Sequence, residues 1–145
     1  METDDLTPPS SNIRWEQRFS NYRRALALLE EPCTRGALNL SRLEQDGFAR
    51  VFEFTFELAW KTIKDFLQFS GIDVSQFPRD IIKQAFSAEI IKDGQLWIEM
   101  LDHRNGFAHR YDEAMLESWL LVIDEKYLPA FLQLRDFFAE RLSRP

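Results

Sequence analysis

The segment from residue 41 to residue 70 constrains the fold more than any other part of the sequence. Ser41 and Glu44 have the spacing of a capping box at its start, and Gly71 is suited to end it. Residues 51–57 alternate with period two, as a strand would, but a helical stripe continues on both sides of them. The segment therefore predicts one long helix, whose buried face repeats every three or four positions at Phe48, Val51, Phe52, Thr55, Leu58, Ala59, Thr62, Ile63 and Phe66.

The rest of the chain also has helical periodicity and predicts four more helices. Five glycines and six prolines in 145 residues leave little material for an all-β fold with many turns. We expect an all-α, up-and-down antiparallel bundle of four to five helices, formed by residues 13–145 as one domain. Residues 1–12 are acidic, carry two prolines and predict a flexible tail. The other helices are expected at about residues 13–30 with Ser11 or Asn12 as cap, from Pro78 to about Ile90, at about residues 95–104, and from Asp112 to Leu142 with a kink at Pro129.

Composition excludes several classes of protein. The net charge of −6 argues against a general nucleic-acid coat protein, although it does not exclude a local RNA-processing site. The single cysteine, Cys33, rules out an internal disulfide and suits a reducing compartment. No apolar run reaches the length of a membrane span, and the N-terminus does not resemble a signal or transit peptide. We therefore expect a cytoplasmic protein.

One polar cluster, at residues 101–112, holds both histidines of the chain, His103 and His109, with Arg104 between them. Arginine offers a fork of donors to phosphate oxygens, and histidine can transfer a proton near neutral pH. Arg104 and His109 would diverge by about 140° on one continuous helix. They could meet if Gly106 ends the helix and turns the chain back, or if a second copy completes the site. The spacing of the two histidines is poor for a metal, so no metal site is expected.

A purely structural interpretation of the same residues remains open. Arg104 could pair with Glu99 or Asp102, while His109 hydrogen-bonds a helix end. The first helix carries a basic stretch that is either a solvated face or a stripe facing RNA or a partner. Its basic residues are Arg14, Arg18, Arg23 and Arg24.

Three aromatic residues, Phe54, Phe56 and Trp60, fall partly outside the apolar stripe of the long helix. A helix that is apolar on two sides usually has two partners. The surplus aromatics therefore predict a second interface, with a dimer mate or another protein; the alternative is that they all belong to one core. Glu57 and Lys61 form a favourable i, i+4 pair on the same helix.

Two stretches together resemble a known family. Residues 52–61 read FEFTFELAWK, and residues 100–113 read MLDHRNGFAHRYDE. Both are similar to the nucleotidyltransferase substrate-binding protein family, which belongs to the HEPN helical bundles and is related to the HepT toxins of the MntA–HepT toxin–antitoxin pairs. The resemblance extends from about residue 13 to residue 142.

The resemblance implies a homodimeric HEPN bundle with an R-x4-H motif at Arg104 and His109 and with Asn105 as the polar residue after the arginine. In HEPN ribonucleases such residues converge from two protomers on a metal-independent RNA-cutting site, with no cofactor. The longer R-x4-H-x-Y form would include Tyr111, to which a nucleotidyltransferase encoded nearby would transfer AMP, silencing the toxin.

The family also implies an alternative function. Many members are regarded as non-catalytic substrate-binding subunits of a two-component nucleotidyltransferase. In that case Phe54, Phe56, Trp60 and Lys61 would bind the catalytic partner. The chain has no Gly-Ser followed by Asp-x-Asp and is not itself expected to be a nucleotidyltransferase. Whether it is an enzyme depends on whether it cleaves RNA.

Overall fold

A computed structural model describes residues 11–107 and 113–142, and this part of the chain contains helices and no strand. The all-α prediction is confirmed. The elements in chain order are α1 (Ser11–Arg35), a short 3-10 turn (Ala37–Asn39), α2 (Arg42–Phe69), α3 (Pro78–Ser87), α4 (Gly94–Phe107), α5 (Glu113–Val122), a π-helical turn (Ile123–Tyr127) and α6 (Leu128–Leu142).

Helix α2 begins and ends where the sequence predicts. The Ser41 side chain accepts a hydrogen bond from the backbone N–H of Glu44 at 3.1 Å, and the Glu44 carboxylate accepts from the Ser41 N–H at 2.9 Å. At the other end Gly71 has a φ of 85°, a conformation that glycine adopts without steric cost. The strand-like residues 51–57 are helical, so the period-two alternation does not override the longer helical pattern.

Helix α1 is longer than predicted at both ends. Residues 31–36, with Pro32 and Gly36, predict a break after about residue 30, yet the helix includes Pro32 and continues to Arg35. The break comes at Gly36, whose φ of 87° a helix cannot accommodate. Ser11, a candidate cap and part of the predicted tail, is already helical.

The C-terminal helix is interrupted just before the predicted kink. Pro129 has no N–H to donate, so regular α-helical bonding is disturbed in the preceding turn. The structure accommodates this with a π-helical turn, in which the N–H of Leu128 donates to the carbonyl of Ile123. The turn places both Ile123 and Tyr127 in the core.

Aromatic residues from α1, α2 and α6 form the centre of the bundle. The Tyr22 hydroxyl donates to the buried carbonyl of Phe131 at 2.7 Å, and burial raises the pKa of that phenol. Arg18 pairs with the buried Asp65 at 2.9 Å and joins α1 to α2. No helix in residues 11–107 and 113–142 combines the length and the apolar character that crossing a membrane requires. The largest fully buried aromatic side chains are Trp97, Tyr22, Tyr127, Phe19, Phe48, Phe52, Phe56, Phe131 and Phe138.

Candidate functional site

Three consecutive residues near the end of α4 attach it to three different elements. Asp102 accepts from Arg79 of α3 at 2.9 Å. His103 Nδ1 contacts the hydroxyl of Tyr127 in the π-helical turn. Arg104 Nη1 donates to Glu57 Oε1 of α2 at 3.0 Å. Because successive helical residues point about 100° apart, these contacts hold the helix end from three directions and fix its rotation.

Arg104 lies at the point where the two family-like stretches of sequence meet. Its guanidinium carbon is 5.8 Å from the centroid of the Phe56 ring. Glu57 also forms an ion pair with Lys61, with 3.2 Å between Oε2 and Nζ. The side chains of Arg104, Glu57 and Lys61 are 27%, 33% and 39% exposed. A single carboxylate thus bridges two cations at a partly open surface.

The partner of Arg104 differs from both predicted ones. The pairing with Asp102 is wrong because Asp102 binds Arg79, and the pairing with Glu99 is wrong because the arginine turns toward α2 and Glu57. The favourable Glu57–Lys61 pair is confirmed. Sequence reasoning missed the role of Glu57 toward Arg104, since helical spacing reports only neighbours within one helix.

The chain does not turn back at Gly106. Helix α4 continues through this glycine to Phe107, and Gly106 does not have a positive φ. The proposed reversal at Gly106 is therefore wrong. Asn105 is exposed at this end of α4, next to Arg104. His109 and Tyr111 lie outside the described residues, so how either is placed relative to Arg104 remains a prediction.

His103 has a structural partner of its own. Tyr127 is fully buried, and desolvation raises the pKa of its phenol, so the hydroxyl stays protonated beside His103 Nδ1. If the hydroxyl donates to Nδ1, the imidazole proton resides on Nε2. Partial burial lowers the pKa of His103 below its ordinary value of 6.5, although Glu99 and Asp102 oppose the shift. The lowered pKa favours the neutral imidazole in the folded chain.

The predicted aromatic interface is largely part of the chain's own core. Phe56 is completely buried, with its ring 6.1 Å from that of Trp97, and only 7% of Trp60 is exposed. The prediction that these two residues face a partner is wrong, because the core of the bundle already covers them. Phe54, by contrast, is 46% exposed.

Most of the basic stretch of α1 is engaged within the chain. Arg18 pairs with Asp65, Arg23 lies over the Phe19 ring at 5.2 Å, and Arg24 bonds Ser20 at 3.4 Å. These contacts favour a solvated face over an RNA-binding stripe.

Within residues 11–107 and 113–142, no group of three or more His, Cys, Asp or Glu side chains is arranged to hold a metal ion.

The similarity of the chain to known proteins identifies its family. Residues 17–140 match the family model described as "nucleotidyltransferase substrate binding protein like". The chain belongs to this family. The matched region includes Glu57, Lys61, Arg104, His109 and Tyr111, so it covers both stretches from which the resemblance was inferred.

Two individual proteins are also similar to this family member. A Haemophilus influenzae protein named "Probable ribonuclease HepT" is 30% identical over 98 residues, which cover 65% of this chain. The alignment spans 60% of that relative's own length. A crystal structure of a Thermus thermophilus protein superposes with a TM-score of 0.68 at 27% identity and covers 85% of this chain and 99% of that one.

Replacing Tyr127 by phenylalanine removes only the hydroxyl that binds His103. The net loss of one such hydrogen bond is expected to lower the free energy of unfolding by about 1 kcal/mol. Chemical denaturation of the two proteins measures the difference. The matched control is Tyr22→Phe, which should cost a similar amount by removing the bond to the Phe131 carbonyl and leaves His103 untouched. Unchanged stability in Tyr127→Phe would show that the contact contributes nothing.

His103 should make the protein sensitive to acid. Its pKa is lower in the folded chain than the ordinary 6.5, so the unfolded chain binds more protons below that pH. The free energy of unfolding therefore falls as the pH drops through this window. Gln can still accept from Tyr127 but does not titrate, so His103→Gln should lose less stability than wild type between about pH 7.5 and pH 5. Identical dependence of stability on pH in the two proteins would show that His103 is not the group responsible.

Proposed function

We propose that this protein is a HepT-like, metal-independent ribonuclease. The observation that carries the proposal is Arg104, the first residue of the R-x4-H pattern, held at a partly open surface by Glu57. The similarity to a protein named as a probable ribonuclease supports it. Because the alignment covers only part of that relative, the activity of this chain rests on the motif as well as on the likeness.

The proposed chemistry is an internal phosphoryl transfer. A ribose 2′-OH attacks the adjacent phosphorus, the bond from phosphorus to O5′ breaks, and a proton is delivered to the leaving oxygen. His109 would accept the 2′ proton, and Arg104 would hold the phosphate as its charge rises. Asn105 would donate a hydrogen bond beside them. If the site forms between two copies of the chain, the second copy supplies the acid that protonates O5′.

The cleavage proposal is tested with purified protein and single-stranded RNA. His109→Ala should lose about 10²- to 10⁴-fold in cleavage rate, because it removes the general base. Arg104→Lys keeps the charge but loses the fork of donors, so its rate should fall about a hundredfold. Arg50→Lys, the same change at an exposed position of α2, is the control and should cleave like wild type.

Intact mass must be read first, to show that no nucleotide is already attached to the protein. Circular dichroism should show the same helix content in every variant. Cleavage that persists in His109→Ala would overturn the assignment of this histidine.

Control of the enzyme is proposed to act at Tyr111, as in a two-gene toxin–antitoxin module. The partner would be a nucleotidyltransferase encoded nearby. The Tyr111 hydroxyl would attack the α-phosphate of ATP bound to this partner, forming a tyrosyl–AMP bond and releasing pyrophosphate. An added anion two residues from His109 would compete for Arg104 and block RNA.

Incubation with the partner and ATP should therefore add one or more AMP groups to the protein and abolish cleavage. Tyr111→Phe should keep its cleavage activity after the same treatment. Mass spectrometry locates the adduct. Modification elsewhere in the chain, or inactivation of Tyr111→Phe, would contradict this control point.

A second candidate function is that of a non-catalytic substrate-binding subunit of a nucleotidyltransferase. The description of the matched family model favours it, and Phe54 supplies an exposed aromatic side chain for a partner. An unmodified wild type that forms a stable complex with the nucleotidyltransferase but cleaves no RNA would support this function and exclude the first.

A further inference from the structure

The carboxylate of Glu57 brings two cations of different helices to one place. Its Oε1 accepts from Arg104 of α4 at 3.0 Å, and its Oε2 pairs with Lys61 of α2 at 3.2 Å. All three side chains are partly exposed, so an anionic ligand can reach the cluster from solvent. Lys61 was expected to bind a protein partner, yet the structure places it beside the arginine of the R-x4-H pattern.

The two cations retain donors that Glu57 does not use. An arginine has five N–H donors and a lysine has three. The hydrogen bond from Arg104 to Glu57 uses Nη1, and the side chain is 27% exposed, so other N–H groups of the guanidinium are left to meet a ligand. Both cations share one carboxylate, so a single phosphate, or two successive phosphates of a strand, can contact both of them.

Two acids close in sequence to this pair are bound to other cations. Asp65 is engaged by Arg18, and Asp102 is engaged by Arg79. Glu53 lies one turn before Glu57, about 6 Å along the axis of α2. An anion would therefore bind at the surface around Arg104 and Lys61.

We propose that Lys61 is a second phosphate-binding residue of the RNA site and that Glu57 is a positioning residue that holds Lys61 and Arg104 together. The inference rests on the proposed ribonuclease function and extends it to a residue outside the R-x4-H-x-Y pattern. Lysine acts as a point charge on the phosphate, whereas Arg104 supplies directed donors. The Lys61 ammonium lies 5.9 Å from the centroid of the Trp60 ring.

Binding of a short single-stranded RNA with 2′-O-methyl riboses tests the role of Lys61, because this probe cannot be cut by its own 2′-OH. Lys61→Gln should bind several-fold more weakly than wild type. The slope of log affinity against log salt should also fall by about 0.7, the value for one phosphate contact on a single strand. The matched control is Lys64→Gln, which removes the same charge one turn further along α2. Lys64 donates to Gln76 at 2.7 Å, whereas Lys61 pairs with Glu57.

Equal affinities and salt slopes in Lys61→Gln and Lys64→Gln would overturn the assignment of Lys61, and so would a wild type that does not bind the probe. The assignment is supported if Lys61→Gln loses affinity and salt dependence while Lys64→Gln keeps both.

The positioning role of Glu57 is tested by kinetics on a cleavable RNA. Glu57→Gln keeps the size of the side chain but removes the charge that competes with phosphate. Its KM should not rise, whereas its kcat should fall about tenfold because Arg104 loses its ionic partner and its fixed orientation. Glu57→Asp restores the charge on a shorter side chain, so its kcat should lie between those of Glu57→Gln and wild type. A normal kcat in Glu57→Gln would show that Arg104 does not depend on Glu57.

These outcomes separate the inference from the proposed function. If the wild type cleaves RNA through His109 while Lys61→Gln behaves like Lys64→Gln, the ribonuclease stands and the role of Lys61 falls. If the wild type does not cleave but binds RNA through Lys61, the phosphate site stands and the catalytic proposal falls.

Discussion

The contact between Arg104 and Glu57 is the interaction on which the arrangement of the candidate site depends. The two residues are 47 positions apart and lie on different helices, so their ion pair ties α4 to α2 at the motif itself. A partly buried guanidinium without a partner would be costly, so the conformation in which Arg104 faces Glu57 is favoured over the others. The aromatic ring of Phe56 lies under the same guanidinium and adds a second, non-polar constraint.

The aromatic core makes this constraint effective. Phe52 and Phe56 are buried on α2, and the ring of Tyr127 packs 5.6 Å from that of Phe52 while its hydroxyl reaches His103. The π-helical turn presents Tyr127 at this position, so the irregularity caused by Pro129 contributes to holding α4. His103 and Arg104 are thus held by aromatic contacts as well as by polar ones, and a site needs such support to keep its geometry.

The elements of the fold could be predicted from sequence because local signals determine them. The capping box at Ser41, the glycine at position 71 and the proline at the start of α3 all act within a few residues. The errors at Pro32 and at Gly106 have one cause: a residue that can break a helix does not have to, because helix propensity is only a weak preference. Phe56 and Trp60 were misjudged because exposure depends on which helices pack on α2, and one helical wheel cannot show that.

The candidate site could be predicted only in part, because its residues are known from a pattern and their contacts are not. Arg104 was identified, but Glu57 as its partner was not. Electrostatics explains why that partner matters. With a net charge of −6 the chain as a whole repels RNA, yet charges beyond about 8 Å are screened at physiological salt. Local geometry therefore decides whether a phosphate is attracted. Two cations gathered on one carboxylate can provide that attraction in an acidic protein.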